Sequence, residues 1–305
     1  MVATSLDASR RFYEQFLGFD CVRYAPDRLL IRDAYAKAAM EAGSDDFFVI
    51  DVQEVTQITN PQRMLHHWGL DVASTAEVDR VHAEAKARKA DFGLMKLFPI
   101  SQAHGSHTFY CADQDMNWWE IEYRLDGLDN EGFFERGDVQ VAGGGPSTAS
   151  ANPRPMLDPA SAPAAGSLVG NARFTHGTCE QLALDRSRKF LEDILELRCV
   201  RHIEPAQFLA GRGSFGVFAI GLSNVKPQER QNRWILSVDT LAEVEAVYQR
   251  AVRGTAALGL RSVAAPEECN GVATLTIQDA DGNWWQVEAR APSEYRAMFA
   301  RGDVI

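Results

Sequence analysis

The side chains able to hold a metal, carry a nucleophile or move a proton are few in this sequence, and they are scattered. Seven histidines (His66, His67, His82, His104, His107, His176, His202) and five cysteines (Cys21, Cys111, Cys179, Cys199, Cys269) make up the soft and titratable set. The cysteines are odd in number and never form a CxxC pair, so they read as reduced cytoplasmic thiols rather than a disulfide frame or a zinc knuckle. Imidazoles serve as metal ligands or as proton carriers near neutral pH. The carboxylates that could join them sit in DQDMNWWEIE, Asp113 to Glu122, and that segment recurs as DADGNWWQVE, Asp279 to Glu288.

The recurrence extends along the chain. All six tryptophans pair at one offset: Trp68 with Trp234, Trp118 with Trp284, and Trp119 with Trp285, each 166 residues apart. The same shift carries AEVD, Ala76 to Asp79, onto AEVE, Ala242 to Glu245. Near the starts of the halves, LDASRRF from Leu6 matches LDRSRKF from Leu184, and near their ends Arg136-Gly137-Asp138 matches Arg301-Gly302-Asp303. Ordered matches at a nearly constant shift mark an internal repeat. Two homologous units are expected, residues 1–138 and 172–305. Residues 139–171, rich in Gly, Pro, Ala and Ser, read as a linker.

Each unit needs elements to position its polar residues. Ser9 to Leu17 has helical spacing, with Phe12, Phe16 and Leu17 on one face and Asp7 as the expected cap. Glu77 to Arg88 forms a second helix on Val78, Val81 and Ala85. Phe47 to Val52, His67 to Val72, Thr108 to Ala112 and Trp118 to Tyr123 read as strands, the last two flanking a polar turn at Asp113 to Asn117. Strand, helix, then several strands occurs twice per unit. The expected fold is α+β: four βαβββ modules whose curved sheets pair around a cleft.

Composition excludes several function classes. The 305 residues carry 31 Lys and Arg against 42 Asp and Glu, a formal charge of −11, which argues against nucleic acid or an anionic membrane as partner. No apolar run approaches a membrane span of about 18 residues, and Asp7, Arg10 and Arg11 interrupt any N-terminal signal core. A hydrophobic content of 46% supplies real cores, so a cytoplasmic globular protein is expected.

On SLDASRRFYEQFLGF, HWGLDV with AEVD, and FYCADQDMNWWEIE, with their second-unit counterparts, the chain resembles the vicinal oxygen chelate superfamily. That superfamily includes glyoxalase I, bleomycin-resistance proteins and type I extradiol dioxygenases. The resemblance covers nearly everything outside the linker, and four modules in one chain resembles the extradiol dioxygenases in particular. It implies a divalent metal held by a first-strand histidine, a histidine opening the next module, and a glutamate on that module's last strand. By position these fall on His176, His67 and Glu120. In the second unit the last two positions are Arg233 and Gln286, and an arginine is no metal ligand. In the first unit the first-strand position precedes Met1. One complete set therefore arises only if the modules pair across the units. In the rival arrangement a histidine upstream of Met1 completes the set instead of His176.

Two imidazoles and one carboxylate make the triad of non-haem Fe(II) oxygenases, which leaves positions open for substrate and dioxygen, although Mn(II), Zn(II) or Ni(II) also fit. Tyr110 stands ten residues before Glu120, where the extradiol motif has a substrate-contacting tyrosine. His104 shares its strand parity and could move a proton in the same cleft, whereas His107 has the opposite parity. The expected activity is ring cleavage of a catechol-like aromatic. The alternatives are a metal-dependent isomerase or lyase of the glyoxalase kind and a non-catalytic protein that binds aromatic ligands. A homo-oligomer is expected from the superfamily's exposed sheet edges.

Overall fold

A computed structural model describes residues 1–125, 130–138, 167–169, 172–203, 206–210, 216–269 and 271–304. Most of the expected linker lies outside them. Among the described residues, three sheets carry the fold. The first holds Val2–Ala3, Ile50–Glu54, Arg28–Arg32 and Asp20–Ala25 in spatial order. The third holds Arg233–Val238, Trp284–Ala289, Val272–Gln278 and Ser262–Val263, with Glu267–Cys269 also paired to Val272–Gln278. The middle sheet has nine strands and is shared by both units.

At the centre of that middle sheet, Arg173–Gln181 of the second unit runs antiparallel to His67–Asp71 of the first, placing His176 opposite Gly69. Gly216–Gly221 then flanks Arg173–Gln181, and Trp118–Arg124 flanks His67–Asp71, each in parallel. The modules thus pair across the units. The second and third modules form one continuous sheet, and the four modules have the expected mixed α+β architecture, although the second and fourth each carry one strand more than βαβββ.

The helices follow their apolar periods with shifted edges. The first begins earlier than Ser9: it spans Leu6–Arg11, and Ser5 rather than Asp7 caps it by accepting from the Ala8 N–H at 3.3 Å. It then widens into a π turn, Phe12–Phe16, and the second unit repeats this with Leu184–Lys189 and Phe190–Ile194. The extra residue per turn buries Phe12, Tyr13 and Phe16 together. The second helix, Thr75–Ala87, buries Val78, Val81 and Ala85 and is capped by Ser74. The strand expected at Phe47 starts only at Ile50, because Phe47 instead packs against Ala36, Met40, Tyr295 and Phe299. The helix Ala34–Glu41 packs against that same cluster, where Met40 and Phe299 come from opposite ends of the chain.

Tryptophans anchor the core. Trp119 is fully buried and its ring stands 5.6 Å from Tyr13, 6.0 Å from Phe12 and 6.4 Å from Phe174. Trp68 and Trp234 meet each other at 5.1 Å. The tail of each unit clamps the other unit: Asp138 accepts from Arg188 at 2.8 Å and from the Arg201 N–H at 2.7 Å, and Asp303 accepts from Arg10 at 2.6 Å and the Arg23 N–H at 2.8 Å. Among the described residues, no helix is long and apolar enough to cross a membrane.

Candidate metal centre

The antiparallel pair at the middle of the shared sheet brings the two first-strand histidines face to face. His67 Nε2 lies 3.0 Å from Glu120 Oε2, His176 Nε2 lies 3.3 Å from the same oxygen, and the two nitrogens are 3.3 Å apart. All three side chains are buried, and they are the one group of metal-ligating side chains found clustered among the described residues. The expected ligands His67, Glu120 and His176 thus converge from three adjacent strands.

The convergence depends on one residue without a side chain. Gly69 pairs with His176 on one side and with Glu120 on the other. A Cβ at Gly69 would occupy the His176 ring itself. Glycine leaves the trough through which the imidazole reaches across its neighbouring strand to the carboxylate.

Outer contacts aim the donor atoms inward. His67 Nδ1 lies 2.7 Å from the Met64 carbonyl, which only accepts, so Nδ1 carries the hydrogen and Nε2 keeps its lone pair. His176 Nδ1 lies 3.3 Å from both Glu122 Oε1 and Thr175 Oγ1, and Thr175 in turn donates to Asp71 at 3.0 Å. Thr108 Oγ1 donates to Glu120 Oε1 at 2.8 Å, leaving Oε2 for the histidines. Imidazoles tied on their far nitrogen and a carboxylate tied on its far oxygen are the pattern expected around a bound divalent cation.

The electrostatics agree with that pattern. Burial alone would raise Glu120 and lower His176. The mutual hydrogen bonds and charges win: Glu120 is held well below the usual carboxylate range by His176 and His67, and His176 is pushed up to about 10 by Glu120 and Glu122. Burial and the Glu122 charge push Asp71 well above its ordinary value. Two buried carboxylates on His176 are a negative pocket that stabilises positive charge, whether proton or metal.

Tyr110 and His104 lie at the edge of this group. The Tyr110 ring stands 5.0 Å from His67, its hydroxyl is 2.9 Å from His104 Nε2, and His104 Nε2 is 3.7 Å from Glu120 Oε1. Burial and Glu120 raise the Tyr110 pKa, so the phenol keeps its proton. His104 reaches this position from a turn with φ of 44° rather than by strand parity. His107 points away, to Asp79 at 2.8 Å. His66 faces Glu180 at 3.7 Å, and His82 bonds the Phe98 carbonyl. The His202 side chain lies outside the described residues.

Register identifies the remaining position. His67 and His176 each stand seven residues before a helix N-cap, Ser74 and Ala183. Glu120 pairs with the residue two beyond His67, and Phe218 pairs with the residue two beyond His176. Phe218 thus occupies the place that Glu120 has in its own module, 5.1 Å from the His176 ring and itself packed by Phe133. It offers no donor atom. Sequence reasoning passed over Glu122, Gly69, Thr108 and Phe218. Only Glu122 carried a signal, since WWEIE places two carboxylates on one strand face.

Residues 1–121 match the family model of the Glyoxalase/Bleomycin resistance protein/Dioxygenase superfamily. No curated protein matches the chain. Among solved structures, glyoxalase I from Zea mays is similar with a TM-score of 0.62 at 12% identity, over 99% of this chain and 93% of that one. A putative dioxygenase from Bacillus subtilis subsp. subtilis str. 168 is similar with a TM-score of 0.53 at 13% identity, over 94% and 82%. At such identities the likeness is one of fold.

Proposed function

Since the chain has the fold of the Glyoxalase/Bleomycin resistance protein/Dioxygenase superfamily and carries its sequence model over residues 1–121, we propose that it is a non-haem Fe(II)-dependent dioxygenase of the extradiol type. Its substrate in this reading is a catechol-like aromatic, with dioxygen as co-substrate. The observation that carries the proposal is the ligand count: two imidazoles and one carboxylate, with Phe218 where a fourth ligand would stand. Such a set leaves one face of the cation open to other molecules.

When bound, Fe(II) supplies the redox chemistry that joins dioxygen to a chelated ring. The chain's own residues bind, orient and exchange protons. Glu122 and Thr175 keep the His176 ring in place, and Met64 does the same for His67. Tyr110, protonated and bonded to His104, donates a hydrogen bond to a substrate oxygen. His104, the half-exposed member of the pair, exchanges that proton with solvent. Phe218 and Phe133 form an aromatic wall beside His176 that excludes water and suits a flat ring.

Oxygen uptake by anaerobically iron-loaded protein with a panel of catechols tests the proposal. Ring-cleavage products with consumption of about one dioxygen per ring are expected. Lack of uptake across the panel, together with turnover of a chelating substrate by Zn(II)- or Ni(II)-loaded protein under nitrogen, would move the site to Lewis-acid isomerase or lyase chemistry.

A further inference from the structure

The pseudo-symmetric counterpart of the metal centre lies between the first and fourth modules. Arg233 stands seven residues before the helix cap Thr240, as His67 stands before Ser74, so Arg233–Val238 is the counterpart strand of His67–Asp71. The two strands differ in their neighbours. His67–Asp71 lies between Trp118–Arg124 and Arg173–Gln181, and all five of its residues are buried. Arg233–Val238 has Trp284–Ala289 on one side and, among the described residues, no strand on the other, and all six of its residues are half-buried.

A cavity of about 440 Å³ follows that open edge. Ile235 to Val238 line it together with Val49 and Ile50 of the first unit, and Phe47, Phe48, Leu209 and Val217 add apolar wall. The charges on it are matched. Arg28 holds Asp51 at 3.2 Å, Arg296 holds Asp45 at 2.6 Å, and Arg250 holds Glu196 at 3.1 Å. Asp51 and Glu288 are counter-charges for Arg233, whose pKa is lowered by burial and by Arg28. The Met1 amino group donates to the Asp51 carbonyl at 2.8 Å, and burial pushes its pKa down to about 5, so it is uncharged at neutral pH. Arg198 is exposed and lies over the Phe134 ring at 4.3 Å.

We propose that this cleft accepts one extended strand of a partner polypeptide, uncharged through its middle and small where it faces Ile235, added antiparallel to Arg233–Val238. Arg173–Gln181 does this for His67–Asp71 in the other half. An open strand edge presents main-chain donors and acceptors in register, which an added strand answers and a compact ligand does not. The edge is recessed in a cleft where, by the same symmetry, one strand fits, so the sheet edge of a second copy is too broad. The strands of this chain among the described residues already have places in the three sheets, so the occupant comes from another polypeptide. Its size limit follows from the repeat. His176 pairs with Gly69, and its ring fills the space that a Cβ there would take. The counterpart of Gly69 is Ile235, so a histidine at that register of the occupant would collide with a branched side chain.

Hydrogen–deuterium exchange of the full chain tests the assignment, with and without a capped nine-residue peptide of the Arg173–Gln181 sequence that carries His176→Ala and Cys179→Ser. At saturating peptide, exchange at Ile235 to Val238 is expected to slow by at least about tenfold, with His67–Asp71 unchanged. The same peptide with His176 retained is expected to bind about tenfold more weakly, and Ile235→Gly in the protein is expected to restore it. A scrambled peptide, and one N-methylated at its central residues, are expected not to bind, because main-chain hydrogen bonds carry strand addition. His67→Ala is expected to bind the probe like the wild type, which separates this cleft from the metal centre. No protection by the probe, equal binding of the scrambled or N-methylated peptide, or no gain for the His176 peptide in Ile235→Gly would each overturn the proposal.

Discussion

Gly69 decides whether the centre can form at all. Its missing side chain lets His176 lie across the strand toward Glu120, and any Cβ there falls within the imidazole. Gly69→Ala should therefore displace His176 and lower metal affinity by at least about tenfold, with the fold kept; elemental analysis beside far-UV circular dichroism checks this. Glu122→Gln should weaken metal binding by about 10–100-fold, because it removes the charge beside His176 Nδ1. The proton on His176 gives a further expectation. With its pKa raised to about 10, the metal-free protein carries that proton at neutral pH, and a metal ligand must shed it. Metal binding should then release about one proton from His176 and tighten as pH rises toward 10. Titration in buffers of different ionisation enthalpy measures the release. At this scale the three residues of the candidate centre were legible through the superfamily resemblance, which assigned them by position, and they do cluster. Thr108 and Phe218 were not, since their roles depend on which strands become neighbours, whereas Glu122 had a signal in the WWEIE strand face.

The elements show what carries that placement. The repeated π turn and the fully buried Trp119 hold the first helix on the sheet that bears Glu120. Trp119→Ala should cost about 3–5 kcal/mol of unfolding free energy, read from chemical denaturation, as for other large-to-small aromatic deletions. The unit tails are weaker fasteners. Asp303 sits partly in solvent and its pKa is lowered by the Arg23 N–H and by Arg10, against a burial effect of opposite sign. A depressed carboxyl stabilises the fold above its unfolded pKa of about 3.9 and loses that contribution as pH falls through the lower folded value. Asp303→Asn should cost no more than about 1 kcal/mol at neutral pH, and less at high salt. The two helices read in the first unit were legible from apolar spacing, while their edges and the further helix Ala34–Glu41 were not. Ser5 displaced Asp7 as cap because its hydroxyl faces the free Ala8 N–H, and Phe47 left the strand because a distant helix offered it a pocket.

For the whole molecule, the consequence of duplication is exchange. The shared nine-stranded sheet takes its two central strands from different units, so His176 completes a set begun by His67 and Glu120. The tryptophan offset pointed to two units, and Arg233 and Gln286 at the ligand positions of the second pointed to pairing across them. The sequence could not reveal that the other cleft stays open, because that depends on how the first and third sheets stand apart. The account rests on His176 acting as ligand across the unit boundary. Its most direct test is the metal content, by elemental analysis, of wild type and His176→Ala after anaerobic Fe(II) loading and desalting. The account predicts about one metal per chain in the wild type and near none in the folded variant. Equal metal in both proteins would contradict it and show that the centre is built without the second unit's histidine.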